Sequence, residues 1–258
     1  MSNNKDILTA MIAAQKEAAA LILHAHGVLA ETKTGHRDVV TEYDRRVQEL
    51  LMERLSAAVP GAVFFCEENE QQGDLKAEHV FIIDPIDGTM NFVRGFHHSA
   101  ISVAYMHSGV IQAASVYNPY AEECFSALAG EGAWCNGRPI HAGELPLAES
   151  VVCCGTAPYN PQLADSTFAL MKKAFLASLD IRREGSAALD MCSAAAGRAG
   201  VYFEPTVSLW DIAAGLLLVQ EAGGVCCRLD GSPIPLDGSK TSILAGGKQA
   251  VTEFLKLV

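Results

Sequence analysis

The amino-acid sequence predicts an α/β protein made of two halves, an α+β half over residues 1–149 and an α/β half over residues 150–258. Three observations predict this class. Two helix-like segments open the chain, β-like segments follow them up to residue 134, and strand-like and helix-like segments alternate after residue 150. A loop rich in Gly, Glu and Pro, residues 141–150, marks the boundary between the halves.

The first half begins with two amphipathic helices, because apolar residues recur there at helical spacing. They are Ile7, Leu8, Met11, Ile12, Ala18, Ala19, Ile22 and Leu23 in the first segment, and Val47, Leu50, Leu51, Leu55 and Ala58 in the second. Two short apolar runs, residues 63–66 and 80–83, then predict strands that end in acidic residues. Between Ala100 and Trp134, turn signals separate several β-like segments, which predicts an antiparallel meander.

The second half alternates strands and helices, a pattern that favours an α/β arrangement. Strands are predicted over residues 151–154, 181–183 and 201–203, and helices over residues 165–177, 187–198 and 210–222. Gly223 and Gly224 follow the last helix and are typical of a helix end.

Composition limits the classes of partner. Half of the 258 residues are hydrophobic, which is enough for a sizeable core, and the formal net charge is −11. Nucleic acids and anionic membranes are bound through clustered Lys and Arg, so neither is expected as a partner. The polar start, residues 1–6, and the charged break at residues 15–17 argue against a signal peptide or a membrane span, so we expect a cytoplasmic protein.

The eight cysteines argue against a disulfide or zinc framework. They include two adjacent pairs, Cys153-Cys154 and Cys226-Cys227, and no C-x-x-C motif occurs. The other four lie in apolar or strand-like runs, where cysteine behaves as a small hydrophobic residue. This usage suits a reducing compartment.

The most informative segment is Asp84-Pro85-Ile86-Asp87-Gly88-Thr89, which directly follows a predicted strand. Taken alone it is equally consistent with a tight turn, because Pro and Asp-Gly are typical turn residues. Other acids favour a binding site, since Glu67 and Glu68 also end a strand, and Asp44 and Asp211 lie beside apolar segments. Ligands of open α/β sheets gather at the carboxyl ends of strands.

Convergence of these carboxylates would require cations. Two carboxylates about 4 Å apart repel each other by roughly 4 kcal/mol at an effective dielectric constant near 20. Oxygen ligands without His or Cys favour Mg²⁺ over zinc, and paired ions can stabilise both oxygens of a phosphoryl displacement. Gly88, which has no side chain, would leave backbone N–H groups free to approach a phosphate. Asp211 has an alternative interpretation as the acid of a helix-capping box that begins at Ser208.

Together these residues resemble the inositol monophosphatase family, within the wider group of Mg²⁺-dependent, lithium-sensitive sugar phosphatases. The resemblance spans nearly the whole chain and rests on two signatures, Asp84-Pro-Ile-Asp-Gly-Thr-Met-Asn-Phe92 and Trp210-Asp-Ile-Ala-Ala-Gly215. Supporting matches are Asp38-Val-Val-Thr-Glu-Tyr-Asp44, Glu67-Glu68, Gly185-Ser-Ala-Ala-Leu-Asp-Met-Cys192 and Glu221-Ala-Gly-Gly224. The resemblance implies a layered αβαβα sandwich of the inositol monophosphatase and fructose-1,6-bisphosphatase type, with the site in the cleft between the halves.

The resemblance also implies two to three Mg²⁺ ions. One ion would be held by Glu67, Asp84 and the backbone carbonyl of Ile86, and a second by Asp84, Asp87 and Asp211. A weaker third ion is expected near Glu67.

By the same resemblance, Thr89, paired with Asp44 and helped by Glu67, would orient and deprotonate the attacking water. The substrate contacts would be Gly88, Thr89, Ser186, Ala187, Glu204 and Asp211. Glu204 is equally consistent with a solvated acid at a strand end. Lys33 is a candidate for steering phosphate, with an ordinary surface lysine as the alternative.

The substrate is left open among several small phosphomonoesters. Inositol 1-phosphate comes first, and the alternatives are fructose 1,6-bisphosphate, histidinol phosphate and 3′(2′),5′-bisphosphate nucleotides. Cys66 and His97 depart from the family's common pattern, which bears on substrate preference. A Mg²⁺- and sugar-phosphate-binding module without turnover is the alternative outside the enzyme class, and the resemblance also implies a homodimer.

Overall fold

A computed structural model describes residues 3–35 and 38–258, and the side chains of residues 33–35 and 38 are not described. The side chain of Lys33, the candidate for steering phosphate, therefore lies outside the described part of the chain. The elements form five layers in the order α, β, α, β, α, so the predicted sandwich is confirmed.

The first layer contains the two predicted helices, α1 (Asn4–Leu23) and α2 (Glu42–Ala58). A hairpin of β1 (Ala30–Gly35) and β2 (Asp38–Thr41), which the apolar pattern did not predict, connects them. Thr41 ends the hairpin and begins α2 as its N-cap, because its hydroxyl accepts a hydrogen bond from the backbone N–H of Tyr43 at 3.1 Å. The apolar faces of both helices pack on one side of the first large sheet.

The second layer is a seven-stranded sheet whose strands follow one another in chain order. They are β3 (Val63–Cys66), β4 (His79–Asp87), β5 (Ala100–His107), β6 (Val110–Asn118), β7 (Glu123–Leu128), β8 (Gly132–Cys135) and β9 (Arg138–Pro139). β3 and β4 are parallel and the other neighbours are antiparallel, so the predicted meander is confirmed. β4 extends beyond the predicted end at residue 83, and a short helix, α3 (Thr89–Arg94), follows it.

The remaining three layers come from the second half of the chain. The fourth is a sheet of β10 (Val151–Cys154), β11 (Asp180–Arg182), β12 (Val201–Val207), β13 (Val225–Cys227) and β14 (Thr241–Gly246), in the order β11-β10-β12-β14-β13. Helices α5 (Ala187–Ala195) and α6 (Leu209–Glu221) lie between the two sheets, and α4 (Ala164–Ala177) and α7 (Lys248–Phe254) cover the outer face.

One apolar core runs from the first sheet through α5 and α6 to the second sheet. The halves therefore share the core that packs between them, and their division at residues 149 and 150 stays a prediction. Within the described ranges, no helix has both the length and the hydropathy that a membrane span requires.

Candidate active site

A β-bulge in β4 places two acids of the Asp84–Thr89 segment on the same side of the sheet. Asp84 pairs with Ser102 and Asp87 with Ala100, so three steps along β4 oppose two steps along β5. In a regular strand, residues three apart point to opposite faces. The extra residue reverses the alternation, so that Ile86 packs with α1 and α2 while both carboxyl groups lie on the side of α5 and α6.

Asp87 is held by the N-terminus of α5. Its Oδ2 atom accepts hydrogen bonds from the hydroxyl of Ser186, the N-cap residue, and from the backbone N–H of Ala188 at 2.9 Å. The first backbone N–H groups of a helix have no partners within the helix, and the helix dipole favours a negative charge there. The position of Asp87 is therefore fixed by a helix that begins about a hundred residues later in the chain.

Asp211 is fixed by its own helix, α6. Its Oδ2 atom accepts a hydrogen bond from the backbone N–H of Ser208 at 2.6 Å, which makes it part of a capping box. The capping interpretation is therefore correct, and the same side chain also reaches the two acids of β4. A carboxylate has two oxygens, so one can accept the cap bond while the other binds a cation.

The carboxylate cluster consists of Asp84, Asp87 and Asp211, which bring ligand atoms within 4.8 Å of one another. Two full charges at that separation repel by roughly 3.5 kcal/mol at an effective dielectric constant near 20. Burial is the largest cause that raises the pKa of Asp84 and of Asp211 well above the usual range, and the charge of Glu67 adds to it. Burial also raises the pKa of Asp87 to about 7. The cluster therefore favours either bound protons or a bound cation.

Thr89 and Asp44 are brought together, as the family resemblance implied. The Thr89 hydroxyl lies 3.3 Å from Asp44 Oδ1 and 3.1 Å from the backbone oxygen of Ile86. A hydroxyl has one proton, so it donates to one of these acceptors at a time. Asp44 is fully buried, and its other oxygen accepts bonds from the N–H (2.8 Å) and the hydroxyl (2.5 Å) of Thr41. The pair is therefore anchored at the start of α2.

Gly88 is required by its backbone conformation and by close packing. Its φ angle of +85° lies in the left-handed region, and a Cβ atom there would lie 3.0 Å from the backbone oxygen of Gly185 and 3.1 Å from that of His98. The bend after β4 can therefore lie against the segment that leads into α5. Ser186 and Ala187, two predicted substrate contacts, follow in that segment and line the same cavity.

The cavity has a volume of about 580 Å³ and lies where the first sheet meets α5, α6 and β12. It contains every predicted metal and substrate residue, namely Glu67, Asp84, Ile86, Asp87, Gly88, Thr89, Ser186, Ala187, Glu204 and Asp211. Asp44 lies behind it, bonded to Thr89. A space of this volume can hold a small ligand such as a sugar phosphate.

Glu204 is fixed in the wall of this cavity and is not a freely solvated acid. Its carboxylate accepts hydrogen bonds from the Tyr202 hydroxyl and from the backbone N–H of Ala157, both at 2.8 Å. Burial raises its pKa, while these two bonds act in the opposite direction. Gly155 makes room for it, because a Cβ atom at that position would lie 1.9 Å from the Glu204 carboxyl group.

The cavity also contains residues that the sequence did not single out. Arg183 and Lys240 are exposed cations at its edge, and Asp190 is a buried acid in its wall. Asp190 Oδ1 has no hydrogen-bond partner among the described residues. It lies in the Gly185–Cys192 segment that matches the family, but its place four residues after the Ser186 cap gave no reason to assign it a role in the site.

The fold and the cavity define a class of protein, the five-layered αβαβα sandwich with a central carboxylate cluster. All ligand atoms of that cluster are hard oxygens, which suit a cation such as Mg²⁺. Within this class the chain belongs to the inositol monophosphatase family, whose model matches residues 3–258.

Two relatives show the range of names in the family. The chain is 35% identical over 249 residues to a protein of Neisseria meningitidis named putative Nus factor SuhB, and the match covers 95% of each. It is also 35% identical over 257 residues to the inositol-1-monophosphatase of Mesorhizobium japonicum, which covers 98% of this chain and 96% of that protein. Sequence identity alone therefore does not choose between the two names.

Solved structures show the same fold. The extragenic suppressor protein suhB of Bartonella henselae superposes with a TM-score of 0.90 at 30% identity, over 97% of both chains. An IMPase/NADP phosphatase complexed with Mg²⁺ and phosphate superposes with a TM-score of 0.88 at 25% identity, over 99% of this chain and 96% of that one.

Proposed function

We propose that this protein is a Mg²⁺-dependent phosphomonoesterase that hydrolyses inositol 1-phosphate or a related small sugar or polyol phosphate. The observation that carries the proposal is the convergence of Asp84, Asp87 and Asp211 in one cavity beside the Thr89–Asp44 pair. Family membership and the relative solved with Mg²⁺ and phosphate support it.

The proposed ligands of two to three Mg²⁺ ions are Glu67, Asp84, Asp87, Asp211 and the backbone oxygen of Ile86. Bound Mg²⁺ would neutralise the charge that develops on the phosphoryl oxygens. Asp44 holds the Thr89 hydroxyl in place, and that hydroxyl passes its proton toward Asp44 Oδ1 as it takes a proton from the attacking water.

The hydroxyl-bearing part of the substrate, away from its phosphate, would lie beside Glu204. Because Tyr202 and Ala157 occupy part of its hydrogen-bonding capacity, its remaining lone pairs can accept bonds from hydroxyl groups of a polyol. Backbone N–H groups near Gly88 would meet the phosphate oxygens, whereas two N–H groups in the first turn of α5 are already bonded to side chains. A phosphate ester that also carries several hydroxyl groups fits both ends of the cavity.

Phosphate release from a substrate panel tests this proposal. The panel is myo-inositol 1-phosphate, fructose 1,6-bisphosphate, histidinol phosphate and adenosine 3′,5′-bisphosphate, each assayed with Mg²⁺, with chelator and with added lithium. We expect Mg²⁺-dependent release from inositol 1-phosphate above all, inhibited by lithium. Faster turnover of another member would reassign the substrate, whereas absence of turnover across the panel would reject the phosphatase proposal.

A binding role without turnover is the second candidate, because one relative is named a putative Nus factor, a name that states no phosphatase activity. The same panel separates the two candidates, since tight Mg²⁺-dependent binding of inositol 1-phosphate with no release of phosphate would favour the binding role. By family resemblance we also propose a homodimer, which a sedimentation measurement showing only monomers would exclude.

In the absence of Mg²⁺, the free energy of unfolding is expected to fall as the pH rises from about 5 to 8. The pKa of Asp87 is about 7 in the folded protein, whereas an unperturbed Asp titrates near pH 3.9. The stabilisation from the bound proton is therefore complete below the unfolded pKa and is lost as the pH rises through the folded pKa. Mg²⁺ competes with protons for the same oxygens, so the increase in Tm that it causes should be larger at pH 8 than at pH 5.5.

Thermal melts in chelator and in Mg²⁺ at several pH values measure this effect. The matched control is Asp87→Asn, which keeps an oxygen acceptor for the Ala188 N–H but cannot titrate, and should reduce the pH dependence. An equal Tm increase from Mg²⁺ at both pH values would contradict the prediction.

A further inference from the structure

A second group of metal-ligating side chains lies at the opposite end of β4. Among the described side chains, two groups of three or more His, Cys, Asp or Glu residues place their ligand atoms within 4.8 Å of one another. One is the carboxylate cluster, and the other consists of Glu78, His79 and His107. His79 is five residues before Asp84, about 17 Å along an extended strand, so this group is separate from the cavity.

The strand register brings the two histidines together. His79 begins β4, His107 ends β5, and they are directly opposite each other in the antiparallel pair. Their ring centroids are 5.0 Å apart, and their Nδ1 atoms are separated by 3.3 Å. The backbone pairing places these two side chains next to each other on the same face of the sheet.

Tyr105 orients the His79 ring. Its hydroxyl lies 2.7 Å from His79 Nδ1, and the Tyr105 side chain is buried at 2% exposure. In the tautomer that carries its proton on Nδ1, His79 donates to this hydroxyl, and the lone pair of Nε2 is available. Metal-ligating histidines are commonly fixed in this way by a hydrogen bond from the other ring nitrogen.

Glu78 is the third residue of this group. Its Oε1 atom is 4.0 Å from His79 Nε2, and its side chain is 68% exposed. Ligand atoms of a tetrahedral Zn²⁺ site are about 3.4 Å apart, given metal–ligand distances of about 2.0–2.2 Å. A small rotation of the exposed Glu78 side chain can therefore close the difference without moving the strands.

We propose that Glu78, His79 and His107 bind a first-row transition metal ion of the Zn²⁺ type at the end of the β4–β5 pair. Two imidazoles and one carboxylate suit such an ion, whereas Mg²⁺ prefers an all-oxygen set. With three protein ligands, one coordination position is left for water. A bound ion would join the start of β4 to the end of β5, and this site does not depend on the proposed phosphatase activity.

Calorimetric titration with Zn²⁺ tests the proposal. The protein is first stripped of transition metals and then saturated with Mg²⁺. We expect the His79→Gln/His107→Gln double variant to lose one Zn²⁺ or to bind it at least about tenfold more weakly. The matched control is His24→Gln/His26→Gln, which removes two exposed imidazoles elsewhere and should bind Zn²⁺ as the unaltered protein does. Equal Zn²⁺ stoichiometry and affinity in all three proteins would overturn the proposal.

A single variant tests the site even if the double variant does not fold. Glu78→Gln changes an exposed side chain, so it should fold normally, and we expect it to weaken Zn²⁺ binding by about tenfold. Unchanged Zn²⁺ affinity in this variant would overturn the assignment of the carboxylate as a ligand. Because the readout is metal binding, failure of the phosphatase assay would leave this test unaffected.

Discussion

Replacing Asp211 by Asn is expected to lower the rate of phosphate release by about a thousandfold or more. Asp211 is one of three carboxylates in the buried cluster, and the change removes a full negative charge from a site proposed to hold divalent cations. Loss of a single preorganised electrostatic contact of this kind typically costs a factor of about 10² to 10³, and loss of a metal ligand affects more than one contact. Steady-state kinetics at saturating Mg²⁺ measure the effect.

The same variant should fold as well as the unaltered protein. The amide oxygen of Asn can still accept the bond from the Ser208 N–H, and a group whose pKa is raised by burial costs less when it is neutral. We therefore expect the Tm in chelator to be equal or higher, while the Tm increase caused by Mg²⁺ becomes smaller.

Asp165→Asn is the matched control for Asp211→Asn. Asp165 also lies in the first turn of a helix, α4, but it is exposed and belongs to the outermost layer. The change alters the same helix-dipole contact without touching the cavity, so turnover should be unaffected. Asp211→Asn protein that retains turnover within tenfold would reject Asp211 as a metal ligand.

Replacing Thr89 by Val is expected to lower kcat by a factor of about 10² to 10⁴, the usual contribution of a positioned proton-transfer group. Valine has nearly the same shape but cannot donate to Asp44 or to the Ile86 oxygen. Because Thr89 contributes no carboxylate to the cluster, the Tm increase caused by Mg²⁺ should be retained. Thr89→Ser keeps the hydroxyl and should recover most of the rate.

Thr167→Val separates the loss of chemistry from the loss of a buried hydrogen bond. Thr167 is a buried threonine of α4 whose hydroxyl donates to the Leu163 backbone oxygen at 2.7 Å. Its loss should cost about 1 kcal/mol of stability and no activity. If Thr89→Val reduces stability by a similar amount but leaves kcat unchanged, then Thr89 is only a structural residue.

Much of the site could be predicted from two short segments. The Asp84–Thr89 segment and the Trp210–Gly215 segment contain residue types that the chemistry requires, at a spacing that local structure preserves. The helices were predictable for a similar reason, since an apolar face must repeat at helical spacing. The capping role of Asp211 was also visible, because Ser208 and Asp211 are only three residues apart.

Other features could not be predicted because they depend on contacts between distant segments. The bulge in β4 follows from its register with β5, and it alone puts Asp87 on the same side as Asp84. Gly155 makes room for Glu204 across two strands, and His79 meets His107 only because β4 and β5 are paired. The local sequence around Gly155, His79 and His107 carries no signal of these contacts.

The sequence by itself determined most of the helices and strands, the residue types of the site and the family. The tertiary structure decided which side chains share a cavity, which one caps a neighbouring helix and where a second group of ligands forms. The physical reason is that periodicity and capping act within a few residues of the chain. The carboxylates of residues 84 and 211 repel each other, and only the packing of the layers holds them close together.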